Sequence, residues 1–254
     1  MGQYAMPEDK LLMKGIALPA GGFIASCKAG EVRGEKSVWC KVIFDCTFYP
    51  QAPTLSVLVL PDGKLKGATL KRKVEFHAGR YAAYHALARA GTTSRHVGGA
   101  GGSMPEWPAG WCGSITHALG RVLAVVASAD TVSSLGVDCE KYAPAVAAEI
   151  ESVIINAAEK ACLRQSDIGY LLGVLIAFSA KESLYKALWP EVRQFFNFQA
   201  AELCFLDGKR QHFVLQLQET LIPTWGKGRM IIGRFSFDGE FITMLVCLPR
   251  TTSW

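Results

Sequence analysis

Arg121-Val-Leu-Ala-Val-Val-Ala127, a polar break at Ser128-Ala-Asp130, then Ser134-Leu-Gly-Val-Asp-Cys-Glu140: these two apolar runs sit at the middle of the 254-residue chain. Each run is too short for an amphipathic helix and rich enough in Val and Leu for a buried strand. The second ends on two acids, which makes it the point where fold and chemistry meet.

Working outward, Pro144 to Leu163 reads as a helix, with Pro near its start and Glu149 and Glu151 in its early turns. A second helix is predicted from about Tyr170 to Leu188, stopped by Pro190. Beyond it the chain turns β: Glu202–Leu206, Gln211–Leu217, Arg229–Phe237 and Glu240–Leu248, with hairpin turns at Asp207-Gly208 and Asp238-Gly239. Upstream, Arg72 to Ala90 has helical periodicity, and Val38–Phe48 and Leu55–Leu60 are β-rich runs among the prolines of the first 60 residues. Strands, helix and strands thus appear once in each half. The expected class is mixed α/β (α+β), as two similar α/β lobes, residues 1–129 and 130–254.

Half the residues are hydrophobic and 19% are charged, which fits a packed globular enzyme and excludes disorder. The formal charge is +5, and the tightest basic knot is Lys64, Lys66, Lys71, Arg72 and Lys73. That knot is a solvated face or a site for an anionic partner; no nucleic-acid-binding signature accompanies it. None of the eight cysteines forms a Cys-x-x-Cys pair or a zinc-spaced cluster, so reduced thiols are expected. No signal peptide follows Lys10 and Lys14, and the apolar run Ile168–Phe178 is too short to span a bilayer. A cytoplasmic protein without membrane insertion is expected. Val97-Gly-Gly-Ala-Gly-Gly-Ser-Met-Pro105 lacks the ending of a phosphate-binding P-loop and reads as a flexible surface loop.

Four segments carry candidate chemistry. On a strand, Asp138 and Glu140 point to the same face, with Cys139 turned away to pack. Two solvated acids at a strand end would look the same, but a hard cation such as Mg²⁺ would relieve their repulsion. Phe178-Ser-Ala-Lys-Glu-Ser-Leu-Tyr-Lys-Ala-Leu188 puts Glu182 and Lys186 on one helix face, as a plain salt bridge or as a third carboxylate with its lysine. The helix is apolar enough that burial of Lys181, Glu182 and Lys186 demands partners. In Gly113-Ser-Ile-Thr-His117 a Ser–His hydrolase pair is one reading, though no Gly-x-Ser-x-Gly elbow is present. Hydrogen bonds from Thr116 and His117 to a phosphate are the other. Arg72 and Arg80 lie just over two helical turns apart, and their forked donors suit a polyanion.

Taken in order, Arg72–Arg80, Trp107–His117, Gly136–Glu140 and Phe178–Lys186 resemble the 4′-phosphopantetheinyl transferases, in particular the subgroup typified by enterobactin synthase component D. The resemblance covers about residues 72–190. It implies a monomer of two α/β lobes in a pseudo-twofold arrangement with coenzyme A between them. It implies Mg²⁺ on Asp138, Glu140 and Glu182, and coenzyme A phosphates on Arg72, Arg80, Thr116, His117, Asp138 and Lys186. It further implies that a serine of an apo acyl or peptidyl carrier protein attacks coenzyme A and releases adenosine 3′,5′-bisphosphate. Glu182 would take the serine proton, with Glu140 acting through a metal-bound water as the second choice, and Lys186 would stabilise the leaving phosphate. The rivals are a Mg-dependent phosphohydrolase using the same acids and an inactive coenzyme A-binding module.

Overall fold

The computed structural model describes residues 11–51, 65, 67–99 and 104–250. The run Leu55–Leu60, Lys64, Lys66 and residues 100–103 of the glycine-rich loop lie outside the described residues. The protein is mixed α+β, with two five-stranded sheets and, among the described residues, four α-helices. Its described residues gather into two compact units: Leu135–Leu248 with Leu11, and those of Leu12–Ser134 with Pro249 and Arg250.

In the unit that begins at Leu12, the sheet runs in the order β1 (Ile16–Ala17), β2 (Ile24–Glu31), β3 (Ser37–Phe44), β5 (Arg121–Ser128), β4 (Trp111–Ala118). All four neighbour pairs are antiparallel. Helix α1 (Leu70–Arg89) starts at Thr69, whose hydroxyl accepts the Arg72 amide at 3.3 Å. Its Val74, Ala78, Ala82, Ala86 and Leu87 share a core with Cys40, Val42, Val122, Ala124 and Val126 of the sheet. The segment before β5, Trp111–Ala118, is itself a strand. It joins β5 through Leu119 (φ 41°) and Gly120 (φ 79°), the left-handed pair that a tight hairpin requires.

The second sheet has the order β6 (Val132–Lys141), β10 (Phe241–Pro249), β9 (Met230–Phe237), β8 (His212–Leu217), β7 (Ala201–Asp207). Three helices go with it: α2 (Pro144–Ile154), α3 (Ala157–Gln165) and α4 (Tyr170–Val192). Their apolar faces and the inner sides of the strands form one core in which Val174, Ile176, Ala177, Ala180, Leu184, Ala187 and Leu188 of α4 are buried. No helix among the described residues is long and apolar enough to cross a membrane.

Two expectations about this unit need correction. The single helix predicted over 144–163 is broken in two, because Asn156 makes a capping box. Its side chain accepts the Glu159 amide at 2.9 Å, and Glu159 returns a carboxylate to the Asn156 amide at 2.9 Å. Helix α4 runs through Pro190 instead of stopping there. It ends at Arg193 (φ 51°), whose amide reaches the Trp189 carbonyl at 3.1 Å. The hairpin expected at Asp207-Gly208 is present: Asp207 pairs with His212 across the loop 208–211, accepts the Arg210 amide, and Gln211 takes a left-handed φ of 59°.

Candidate active site

Strand β6 brings Asp138 and Glu140 to one face. Cys139 points the other way, nearly fully buried with the Thr243 hydroxyl 4.0 Å from its sulfur. Opposite the acids lies α4. Gly136 sets the separation, since a Cβ there would collide with the Ser183 carbonyl and the Ala187 amide. That close approach lets two side chains of α4 reach one carboxylate. Ser179 Oγ donates to Asp138 Oδ2 at 2.7 Å, and Lys186 Nζ donates to Asp138 Oδ1 at 2.6 Å and to the Val137 carbonyl at 3.1 Å. Asp138 is 4% exposed, so this is a shielded, charge-assisted pair.

Glu140 and Glu182 join the same electrostatic group. Burial pushes the Glu140 carboxyl up to about 7; the Asp138 and Glu182 charges push the same way and Lys186 works against them. Burial and the Asp138 charge raise Glu182 as well, again opposed by Lys186. The Lys186 ammonium thus acts on all three carboxylates. Among the described residues no three His, Cys, Asp or Glu side chains stand close enough to enclose a metal ion, and Lys186 holds Asp138, the most buried of these three acids. The donor chemistry still fits a hard divalent cation, because the set is all carboxylate oxygen and its repulsion is only partly relieved.

Lys181, one residue before Glu182, turns elsewhere. Its ammonium is 3% exposed and contacts Glu159 at 2.8 Å and the Ile154 carbonyl at 2.7 Å. Glu159, fully buried, also accepts the Leu203 amide at 2.8 Å and so ties α3, α4 and β7 together. Sequence reasoning overlooked Glu159, Ser179 and Gly136. The capping-box spacing Asn156-x-x-Glu159 was the available signal for the first. For the second it was the 3- and 7-residue offsets that set Ser179 on the face of Glu182 and Lys186.

The other expected residues belong to the Leu12–Ser134 unit. Arg80 is 6% exposed, lies 4.6 Å above the Phe76 ring and donates to the Gly98 carbonyl at 2.8 Å. Its Nε is buried without a partner, and burial lowers its proton affinity to about 10; Glu106 opposes that shift while Arg72 adds to it. Arg72 and Arg80 are thus within electrostatic reach of each other. On β4, Thr116 is buried while His117 is exposed and places Nδ1 3.7 Å from Glu75. Ser114 and His117, three apart on this strand, face opposite sides, which removes the Ser–His hydrolase reading.

The α+β fold thus carries a buried acid–lysine cluster on a strand–helix pair of one unit, and two arginines in electrostatic reach of each other on a helix of the other. Sequence comparison supplies the class. Residues 60–127 match the 4′-phosphopantetheinyl transferase N-terminal domain and residues 134–228 match the 4′-phosphopantetheinyl transferase superfamily. Enterobactin synthase component D of Salmonella typhimurium is 34% identical over 189 residues, covering 74% of this chain and 77% of the relative. The Salmonella typhi protein of the same name is 42% identical over 189 residues, with the same coverage. The 4′-phosphopantetheinyl transferase PptT of Mycobacterium tuberculosis is 30% identical over 157 residues, 62% of this chain and 69% of that one. The chain belongs to the 4′-phosphopantetheinyl transferase superfamily and is a transferase that uses coenzyme A.

Proposed function

We propose that Asp138, Glu140, Glu182 and Lys186 form the reaction centre of this transferase, acting on coenzyme A and a serine of an apo acyl or peptidyl carrier protein. The observation that carries this reading is the Lys186–Asp138 pair with Glu140 and Glu182 held above their usual carboxylate range beside it. A cluster of carboxyls raised by burial and mutual repulsion is suited to take up Mg²⁺ together with a pyrophosphate. Asp138, Glu140 and Glu182 would hold the cation, which when bound neutralises charge on the pyrophosphate oxygens.

The residues of the chain divide the remaining work. Glu182 takes the proton of the serine hydroxyl as its oxygen forms the new bond to phosphorus. The bond from that phosphorus to the bridging oxygen breaks, and adenosine 3′,5′-bisphosphate departs with the electron pair. Lys186 stabilises the charge that gathers on it. Arg72, Arg80, Thr116 and His117 bind phosphates of coenzyme A. Arg80 supports that role by being a buried cation with an unpartnered Nε. Glu140 acting through a water is the second choice for the base, favoured by a carboxyl that titrates near 7. The name of the enterobactin synthase component D relatives makes a carrier of siderophore assembly one of the acceptors to test, and the cytoplasm is the compartment we propose.

Incubation with coenzyme A, Mg²⁺ and a panel of apo-carrier proteins should add one phosphopantetheine mass to a carrier. Chelation of the metal or Glu182→Gln should stop the transfer while leaving the fold intact. Hydrolysis of coenzyme A or nucleotides without a carrier would favour the phosphohydrolase instead. Full turnover by Glu182→Gln would refute the role given to that residue.

A further inference from the structure

Phe195 is 80% exposed, more than any other large apolar side chain among the described residues. A single exposed ring is ordinary, but Phe195 belongs to an aromatic group with Tyr185, Trp189 and Phe196. Its neighbours hold it in place. The Arg193 guanidinium donates to the Pro190 carbonyl at 2.9 Å, and Gln194 Nε2 donates to the Leu221 carbonyl at 2.7 Å. Asn197 accepts the Gln199 amide at 2.9 Å, closing the segment on its other side. Phe196 packs on the core. The Phe195 ring rests 6.2 Å from that of Tyr185, which also meets Phe196 at 4.9 Å and Trp189 at 5.4 Å.

Tyr185 is the link to the chemistry. It lies three residues after Glu182 on α4, on the same face, and the Glu182 charge is felt at its hydroxyl. One helical step, the Tyr185 side chain and one ring contact link Phe195 to Glu182, a path of at most about 16 Å. A transient protein complex buries about 500–600 Å² on each partner, a disc of roughly 13 Å radius. A patch of that size spans both residues, so one protein can reach Phe195 while its serine is at Glu182.

We propose that Phe195, backed by Tyr185, Trp189 and Phe196 and flanked by the exposed Arg193, is an apolar anchor on which the carrier protein docks. This rests on the acceptor being a carrier protein, as proposed above. Because the aromatic platform is pre-formed, docking costs little ordering, and one buried ring in a small interface acts as its anchor. The partner face that fits is apolar at its centre with an acid placed for Arg193.

The test compares steady-state transfer by the wild type, Phe195→Ser and Phe195→Leu, varying an apo peptidyl carrier domain and coenzyme A in turn. Phe195→Ser should raise the KM for the carrier about tenfold and leave the KM for coenzyme A and the melting temperature unchanged. Phe195→Leu should restore most of the carrier affinity. An unchanged carrier KM overturns the proposal. A parallel rise in the coenzyme A KM would assign the ring to that substrate, and a dimer dissolved by Phe195→Ser with carrier kinetics intact would assign it to a second copy; either result overturns it. Failure of the wild type to modify any carrier would instead refute the acceptor on which it rests.

Discussion

Lys181→Met isolates the structural half of the acid–base chemistry on α4. The substitution keeps an unbranched chain of similar volume but deletes the ammonium, leaving Glu159 with the Asn156 and Leu203 amides and no counter-charge at zero exposure. Removing one partner of a buried pair costs roughly 3–5 kcal/mol, most of it the desolvation of the charge left behind. For a protein of this size that lowers the melting temperature by about 10 °C. Urea denaturation at pH 7 should show the midpoint falling at constant slope. In the double variant Lys181→Met/Glu159→Gln the stranded charge is gone, and one amide loses its acceptor at a cost of about 1–3 kcal/mol. The double variant should be no less stable than Lys181→Met alone, a coupling of at least about 1 kcal/mol. Transfer per folded molecule should stay within about twofold of wild type, since Lys181 faces Glu159 and not Asp138. A loss below about 1 kcal/mol, or strictly additive effects, would refute the assignment of Lys181 to this pair.

Three further outcomes are expected. Gly136→Ala should cost about 1–3 kcal/mol and reduce turnover more than coenzyme A affinity, because the helix must move off β6 and carry Lys186 from Asp138; kinetics with thermal melting would check both. The metal-free protein should lose stability as pH rises from about 4.5 through about 7, because the folded state binds protons at Glu140 and Glu182 more tightly than the unfolded chain does; Glu140→Gln should flatten that slope in denaturation curves across this range. Magnesium, competing with those protons, should bind more tightly at pH 8 than at pH 6 by calorimetry, and the difference should shrink in Glu140→Gln.

Apolar spacing and run length recovered most of the elements, the half-buried ones by their period and the fully buried ones such as β5 and β10 as continuous apolar runs. Helices α1 and α4 and the strands from Ala201 onward emerge within a few residues of where their apolar spacing puts them. The misses share a cause. Asn156 restarts a helix by a reciprocal side-chain bond, and Pro190 is tolerated because Arg193 caps one turn later. Both are local competitions in which hydrophobic pattern carries no information.

The sequence by itself established the family, through four ordered segments, and put Asp138 and Glu140 on one face and Glu182 and Lys186 on another, because strand and helix geometry follow from spacing alone. Which acid answers which lysine was a matter for tertiary structure. Lys181 and Lys186 stand five residues apart on one helix. One reaches Glu159 across to α3, and the other reaches Asp138 where Gly136 lets the helix close on the strand. Charges pair by distance in space, and distance between elements is set by packing that no spacing within either element encodes.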